Sequence, residues 1–98
     1  MAKTPEAKVK DRIHAALKAA GAYAVNYIGG QYANNGTPDI LGVLDSRFIA
    51  IEAKADATKK PTELQKKFLG QVSANGGIAL VIHKDNLDEL KEALRGNT

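Results

Sequence analysis

The sequence predicts an α/β domain with a mixed sheet, its elements ordered α-β-β-β-α-β-α. Three observations predict it. Val9, Ile13, Leu17 and Ala20 recur every three or four residues, the spacing of an amphipathic helix. Two runs, Ile40 to Leu44 and Phe48 to Lys54, are parted only by Asp45-Ser46-Arg47, which reads as two strands and a tight turn. A helical pattern from Pro61 to about Ala74 then leads into the continuous apolar run Ile78 to Ile82. Strands joined through a helix run parallel with a right-handed crossover, so the sheet mixes both senses.

In chain order, Thr4-Pro5-Glu6 opens the first helix, with Thr as N-cap, Pro at the first helical position and an acid in the first turn; Gly21 closes it. In helix terms Glu6 is a carboxylate stabilised by the helix N-terminus, worth about 0.5 kcal/mol. Ala22 to Ile28 alternates Tyr23, Val25 and Tyr27 against Ala24, Asn26 and Ile28, a strand with one face less apolar. Gly29 to Gly36 is a loop by composition and carries no phosphate-cradling spacing. It runs straight into Asp39, which puts it over any site there.

The second helix is expected to begin near Pro61 and to bury Leu64, Phe68 and Val72. Thr62-Glu63-Leu64-Gln65 also fits a capping box, which gives Gln65 a purely structural reading and competes with Pro61 for the start of the helix. The run Ile78 to Ile82 suits a strand covered on both faces. His83 then reads as a surface or capping residue. Asp85-Asn86 cap a last helix with Leu87, Leu90 and Leu94 facing inward.

Ninety-eight residues suffice for a single domain, 1–98, with one core. With no cysteine, disulfides and thiolate chemistry are excluded, and two scattered histidines are too few for a zinc site. No apolar run approaches the roughly 20 residues of a membrane span, and the N-terminus lacks a signal-peptide core. A cytoplasmic protein with no membrane association is expected. The net charge of +3 is mildly basic and compatible with nucleic acid. Lys59, Lys60, Lys66 and Lys67 gather around the start of the second helix, as either a solvated face or a weak DNA-binding surface.

Chemistry concentrates between Gly36 and Lys54. Asp39 stands at the mouth of one strand and Glu52-Ala53-Lys54 at the end of the next. Charged groups gathered where apolar strands end are costly to fold around unless something binds them. Their convergence depends on strand parity, because successive side chains point to opposite faces. If Asp39 lies opposite Glu52, then Leu44 pairs with Arg47, Asp45-Ser46 is a two-residue loop, and Asp39, Glu52 and Lys54 share a face. A one-residue slip sends Glu52 to the wrong side. The expected ligand is therefore a divalent metal with a phosphodiester, and the expected register is even, or restored to even by a bulge.

These residues resemble the PD-(D/E)XK nuclease superfamily, and within it the small stand-alone, phage-type members of the VRR-NUC group. The resemblance rests on Gly36-Thr37-Pro38-Asp39-Ile40-Leu41-Gly42, on Phe48 through Lys54, on Pro61-Thr62-Glu63-Leu64-Gln65, on Gly76-Gly77 and on a first helix with an early Glu6. It covers roughly residues 4 to 83. It implies a restriction-endonuclease-like αβββαβ core, with the C-terminal helix an appendage, and a divalent-metal-dependent endodeoxyribonuclease. Asp39 and Glu52 would ligate Mg²⁺ or Mn²⁺, helped by the backbone carbonyl of Ala53. Glu6 would reach the metal directly or through water. Lys54 would position or deprotonate the attacking water, and Gln65 would orient Lys54 or the phosphate.

No helix reads as a major-groove recognition helix, so phosphate-dominated, salt-sensitive binding with little sequence preference is expected. The resemblance further implies a homodimer acting on branched DNA in the manner of Holliday-junction resolvases, in a bacterial or phage-infected host cell. The rival readings are a catalytically inactive nuclease-fold module that binds DNA or a protein partner, and a structural Lys54–Glu52 ion pair. On the enzyme reading, Asp39→Ala is expected to abolish cleavage and to raise metal-free stability by relieving carboxylate repulsion.

Overall fold

The computed structural model describes residues 3–28 and 36–96. Helix α1 (Pro5–Ala20) starts where the capping residues direct: Thr4 Oγ1 accepts the Ala7 N–H at 3.1 Å, and Pro5 occupies the first turn. It ends at Gly21, whose φ of 86° is the left-handed cap that glycine adopts without a Cβ penalty. Val9, Ile13 and Leu17 are buried as the period requires, whereas Ala20 is exposed.

Four strands follow in the spatial order β1 (Tyr23–Asn26), β2 (Ile40–Leu44), β3 (Arg47–Ala53) and β4 (Ile78–Ile82). The first three are antiparallel and β4 runs parallel to β3, so the sheet is mixed. Helix α2 (Glu63–Ala74) makes the β3–β4 crossover, and α3 (Leu87–Arg95) ends the described chain, giving the expected αβββαβα order.

The β2–β3 register is the even one: Leu44 pairs with Arg47 and Ile40 with Ile51. Asp45 and Ser46 both take positive φ, 50° and 68°, as the two central residues of a type I′ hairpin turn do. This register puts Ile40, Ile49, Ile51 and Ala53 on one face. There they bury against Val9, Ile13 and Leu17 of α1, Leu90 of α3, and Ile78 and Ile82 of β4. Leu87 and Leu94 pack on the same cluster, as the inward-facing pattern of α3 predicts.

Helix α2 covers the other face over β3 and β4. Its phase differs from the expected stripe. Leu69 is its buried residue, Phe68 and Val72 are partly buried, and Leu64 is 53% exposed. The helix is turned so that Gln65, one residue past Leu64, reaches the sheet, and Leu69 follows one turn later on the same side. Asn86 also departs from expectation. It occupies the N-cap position of α3, but its side chain bonds backward, accepting from the His83 N–H at 2.7 Å and donating to the Val81 carbonyl at 3.0 Å. His83 Nδ1 accepts the Asp85 N–H at 3.1 Å, a local capping role.

Candidate active site

The candidate side chains Asp39, Glu52, Lys54 and Gln65 collect at the C-terminal end of β3, where β2 begins and the first turn of α2 arrives. Continuing the β2–β3 register places Asp39 across from Glu52 and Pro38 across from Ala53. Proline has no N–H, so the ladder offers the Ala53 carbonyl no donor at that step. Separately, the Ala53 N–H donates to Asp39 Oδ2 at 2.9 Å, and the Asp39 carbonyl accepts the Tyr27 N–H at 2.7 Å. Asp39 is thereby fixed by backbone on both sides. In an extended strand the carbonyl and N–H of one residue face the same edge, so the Ala53 carbonyl points toward the opening that Asp39 borders.

Gly36 helps set that entry. A Cβ there would lie 2.7 Å from the Leu64 carbonyl oxygen, so glycine lets the chain lie directly on the first turn of α2 just before Pro38-Asp39. The remainder of the loop expected over the site, Gly29 to Asn35, lies outside the described residues.

Glu52 is the most unusual residue. It is charged yet only 3% exposed, on a strand otherwise filled with Ile and Ala. Its Oε2 accepts from Gln65 Nε2 at 2.9 Å and lies 3.2 Å from Lys54 Nζ. Its Oε1 is buried and has no hydrogen-bond partner among the described residues. Burial pushes the Glu52 carboxyl above its ordinary range and the neighbouring Asp39 carboxylate pushes it further, with the Lys54 ammonium opposing both. Native structures rarely leave a buried carboxylate oxygen unpaired, since it costs about 1–3 kcal/mol or more.

Gln65 fills its capping role, and its free end meets Glu52 and not Lys54. Its Oε1 accepts the Thr62 N–H at 2.8 Å while Thr62 Oγ1 accepts the Gln65 N–H at 3.2 Å, a complete capping box. That leaves the amide's other end, Nε2, for Glu52. The carbonyl oxygen must face Thr62, because the N–H there is a donor, so the amide orientation is dictated by its partners.

Glu6 does not join Asp39 and Glu52 in one ligand set; among the described residues no three His, Asp or Glu side chains gather around a point. It is tied to the site through a residue the sequence reading missed. Lys10 Nζ stands 3.7 Å from Glu6 Oε2 and 3.6 Å from Asp39 Oδ1. The i,i+4 spacing of Glu6 and Lys10 was a visible signal for the first of these contacts. Of the basic cluster, Lys66 pairs with Glu63 at 3.1 Å and Lys59 and Lys60 are exposed beyond Lys54. Lys67 lines a groove of about 330 Å³ with Gly36, Leu64 and Phe68.

The donor set fits a hard divalent cation. Glu52 Oε1, the Asp39 carboxylate and the Ala53 carbonyl are oxygens, and ions such as Mg²⁺ need only one or two carboxylates because they keep several waters. It does not fit zinc, whose structural sites take four nitrogen or sulfur ligands. Compared with protein-family models, with curated proteins and with solved structures, the chain matches none of them.

Proposed function

We propose that this chain is a divalent-metal-dependent DNA endonuclease of the kind its motifs resemble. The observation that carries the reading is the buried Glu52 carboxylate, with Oε2 pinned by Gln65 and Lys54 and Oε1 left without a partner beside Asp39. Mg²⁺ or Mn²⁺ would be held by Asp39, Glu52 and the Ala53 carbonyl, with Glu6 acting through water. When bound, such an ion supplies Lewis acidity toward a phosphoryl oxygen and a nucleophile from water near neutral pH.

The chain's own groups do the rest. Gln65 fixes the rotation of Glu52 so that one oxygen remains for the cation. Lys54, held by Glu52, brings positive charge to a phosphodiester and positions the attacking water as a donor; only in its neutral form could Nζ take the water's proton. With no base-reading element evident, phosphate contacts dominate, and Lys59, Lys60, Lys66 and Lys67 extend them. The test is a panel of junction, flap, fork, duplex and single-stranded DNA incubated with Mg²⁺ or Mn²⁺. Wild type is expected to cut, junctions best, and Lys54→Ala to lose at least about a hundredfold in rate. A panel left uncut by wild type removes the enzyme reading and favours a module that binds without chemistry.

The same reading includes a homodimer working in the cytoplasm of a bacterial or phage-infected cell, because symmetric nicks on a branched substrate need two sites. No described helix is long and apolar enough to cross a membrane. Support for the dimer comes from the sheet. Directly opposed strand residues share a face, so Tyr23, Val43 and Phe48 form one apolar row across β1, β2 and β3, and all three are exposed. Val25 adds to it. Sedimentation equilibrium at micromolar concentration is expected to give a dimer, and Phe48→Asp to shift it toward monomer. A wild-type monomer removes this part of the reading.

A further inference from the structure

The Lys10 ammonium lies between two carboxylates that approach each other only through it: 3.7 Å to Glu6 on its own helix and 3.6 Å to Asp39 at the mouth of β2. Both contacts are ion pairs too long to be hydrogen bonds, so the ammonium sits in a shared field and is not docked on either oxygen. It is about one-third exposed, and its four-carbon stem can swing outward without unfolding the helix turn that bears it. Asp39 Oδ2 is already committed to the Ala53 N–H, so Oδ1 is the oxygen that an incoming cation must share with Lys10. Glu52, whose Oε1 is unpartnered among the described residues, is a neighbour of Asp39.

We propose that Lys10 is the resident counter-cation of the site: it neutralises Glu6 and Asp39 in the metal-free protein and is displaced by the divalent cation. The inference rests on the metal-site reading above and adds a residue to it. A single positive charge held at Asp39 Oδ1 opposes a dication arriving at the same carboxylate. At such a separation, even in a water-like dielectric, the repulsion between an ammonium and a dication corresponds to roughly a tenfold effect on affinity or more. Once displaced, the ammonium is free of both carboxylates, so its charge becomes available to a phosphodiester brought to the metal. Metal and DNA then favour each other's binding, as linkage requires.

The experiment titrates Mn²⁺ into metal-free protein by calorimetry, without DNA, using wild type, Lys10→Met and Lys18→Met. Lys18 lies eight residues further along α1, about 12 Å away, beyond the screening length at physiological salt. Lys10→Met is expected to bind Mn²⁺ about tenfold more tightly than wild type and to melt at a lower temperature without metal, since Glu6 and Asp39 lose their shared partner. Lys18→Met is expected to match wild type in affinity. Adding a non-cleavable phosphorothioate duplex should tighten Mn²⁺ binding more in wild type than in Lys10→Met.

If Lys10→Met binds Mn²⁺ no more tightly than wild type, or more weakly, the displacement inference fails while the metal site stands. The same holds if Lys18→Met tightens binding equally, because the effect is then one of overall charge. If wild type binds no Mn²⁺, the metal-site reading and this inference fall together.

Discussion

Asp39→Asn should abolish cleavage while leaving the metal-free protein at least as stable as wild type, whereas Asp39→Ala should lose both cleavage and stability. The two variants remove the same negative charge and differ in one respect. Asparagine keeps a carbonyl oxygen where Asp39 Oδ2 accepts the Ala53 N–H at 2.9 Å, and alanine keeps nothing. Ala53 is fully buried, so its orphaned N–H costs about 1–3 kcal/mol. The sequence alone suggests that Asp39→Ala raises stability by relieving repulsion from Glu52. Against that gain stands a contact the sequence does not show: the Asp39 carboxylate also accepts the N–H of the buried Ala53.

In denaturant titrations, Asp39→Ala is therefore expected to fall below Asp39→Asn by about 1–3 kcal/mol, or roughly 4–20 °C in a domain of this size. Loss of the pair with Lys10 is common to both variants and so does not separate them. For cleavage, each loses a charged metal ligand worth several kcal/mol, hence about a thousandfold or more in rate at saturating Mn²⁺. Equal stability of the two variants would mean that the Ala53 bond does not hold the site. Undiminished cleavage by Asp39→Asn would remove Asp39 from it.

Much of this arrangement is legible without coordinates because strands have only two faces. Once Asp39 and Glu52 are required to converge, parity selects Leu44 opposite Arg47 and sends Ile40, Ile49 and Ile51 to the core together. The turn itself was less legible: Asp tolerates positive φ, but nothing marks Ser46 for a φ of 68°. Helix phase is a weaker constraint than strand parity. Leu64, Phe68 and Val72 form a valid stripe, yet a rotation of one residue, about 100°, exposes Leu64 and brings Gln65 and Leu69 to the sheet. That rotation follows from a polar contact, Gln65 to Glu52, which hydrophobic periodicity does not register. Lys10 was missed for a related reason. Its pairing with Glu6 is local, but its approach to Asp39 depends on where α1 crosses the end of β2, which no sequence spacing encodes.

Glu52→Gln separates the metal site from the structural ion pair through a reversal of order. In the metal-free protein the ionised Glu52 is destabilising, since burial and the Asp39 carboxylate raise its pKa above the unfolded value of 4.5 despite Lys54. With the folded pKa raised, the native state binds more protons than the unfolded one between those two values, so stability falls as pH rises through that window. Below pH 4.5 the wild-type carboxyl is neutral in both states and this penalty is absent.

Glutamine never ionises. Its advantage over wild type should therefore grow with pH through the window, by about 1.4 kcal/mol per pH unit, and then level off. Saturating Mn²⁺ should invert the order: wild type gains about 2.7 kcal/mol at a hundredfold excess over Kd, and the variant, lacking the charged Oε1, gains much less. Thermal melts of both proteins across pH 4 to 8, with and without Mn²⁺, measure the four quantities together. If the Lys54–Glu52 contact of 3.2 Å is only a structural pair, Glu52→Gln strands the Lys54 ammonium. Wild type is then the more stable protein at neutral pH with or without the ion, and that ordering would sink the metal site.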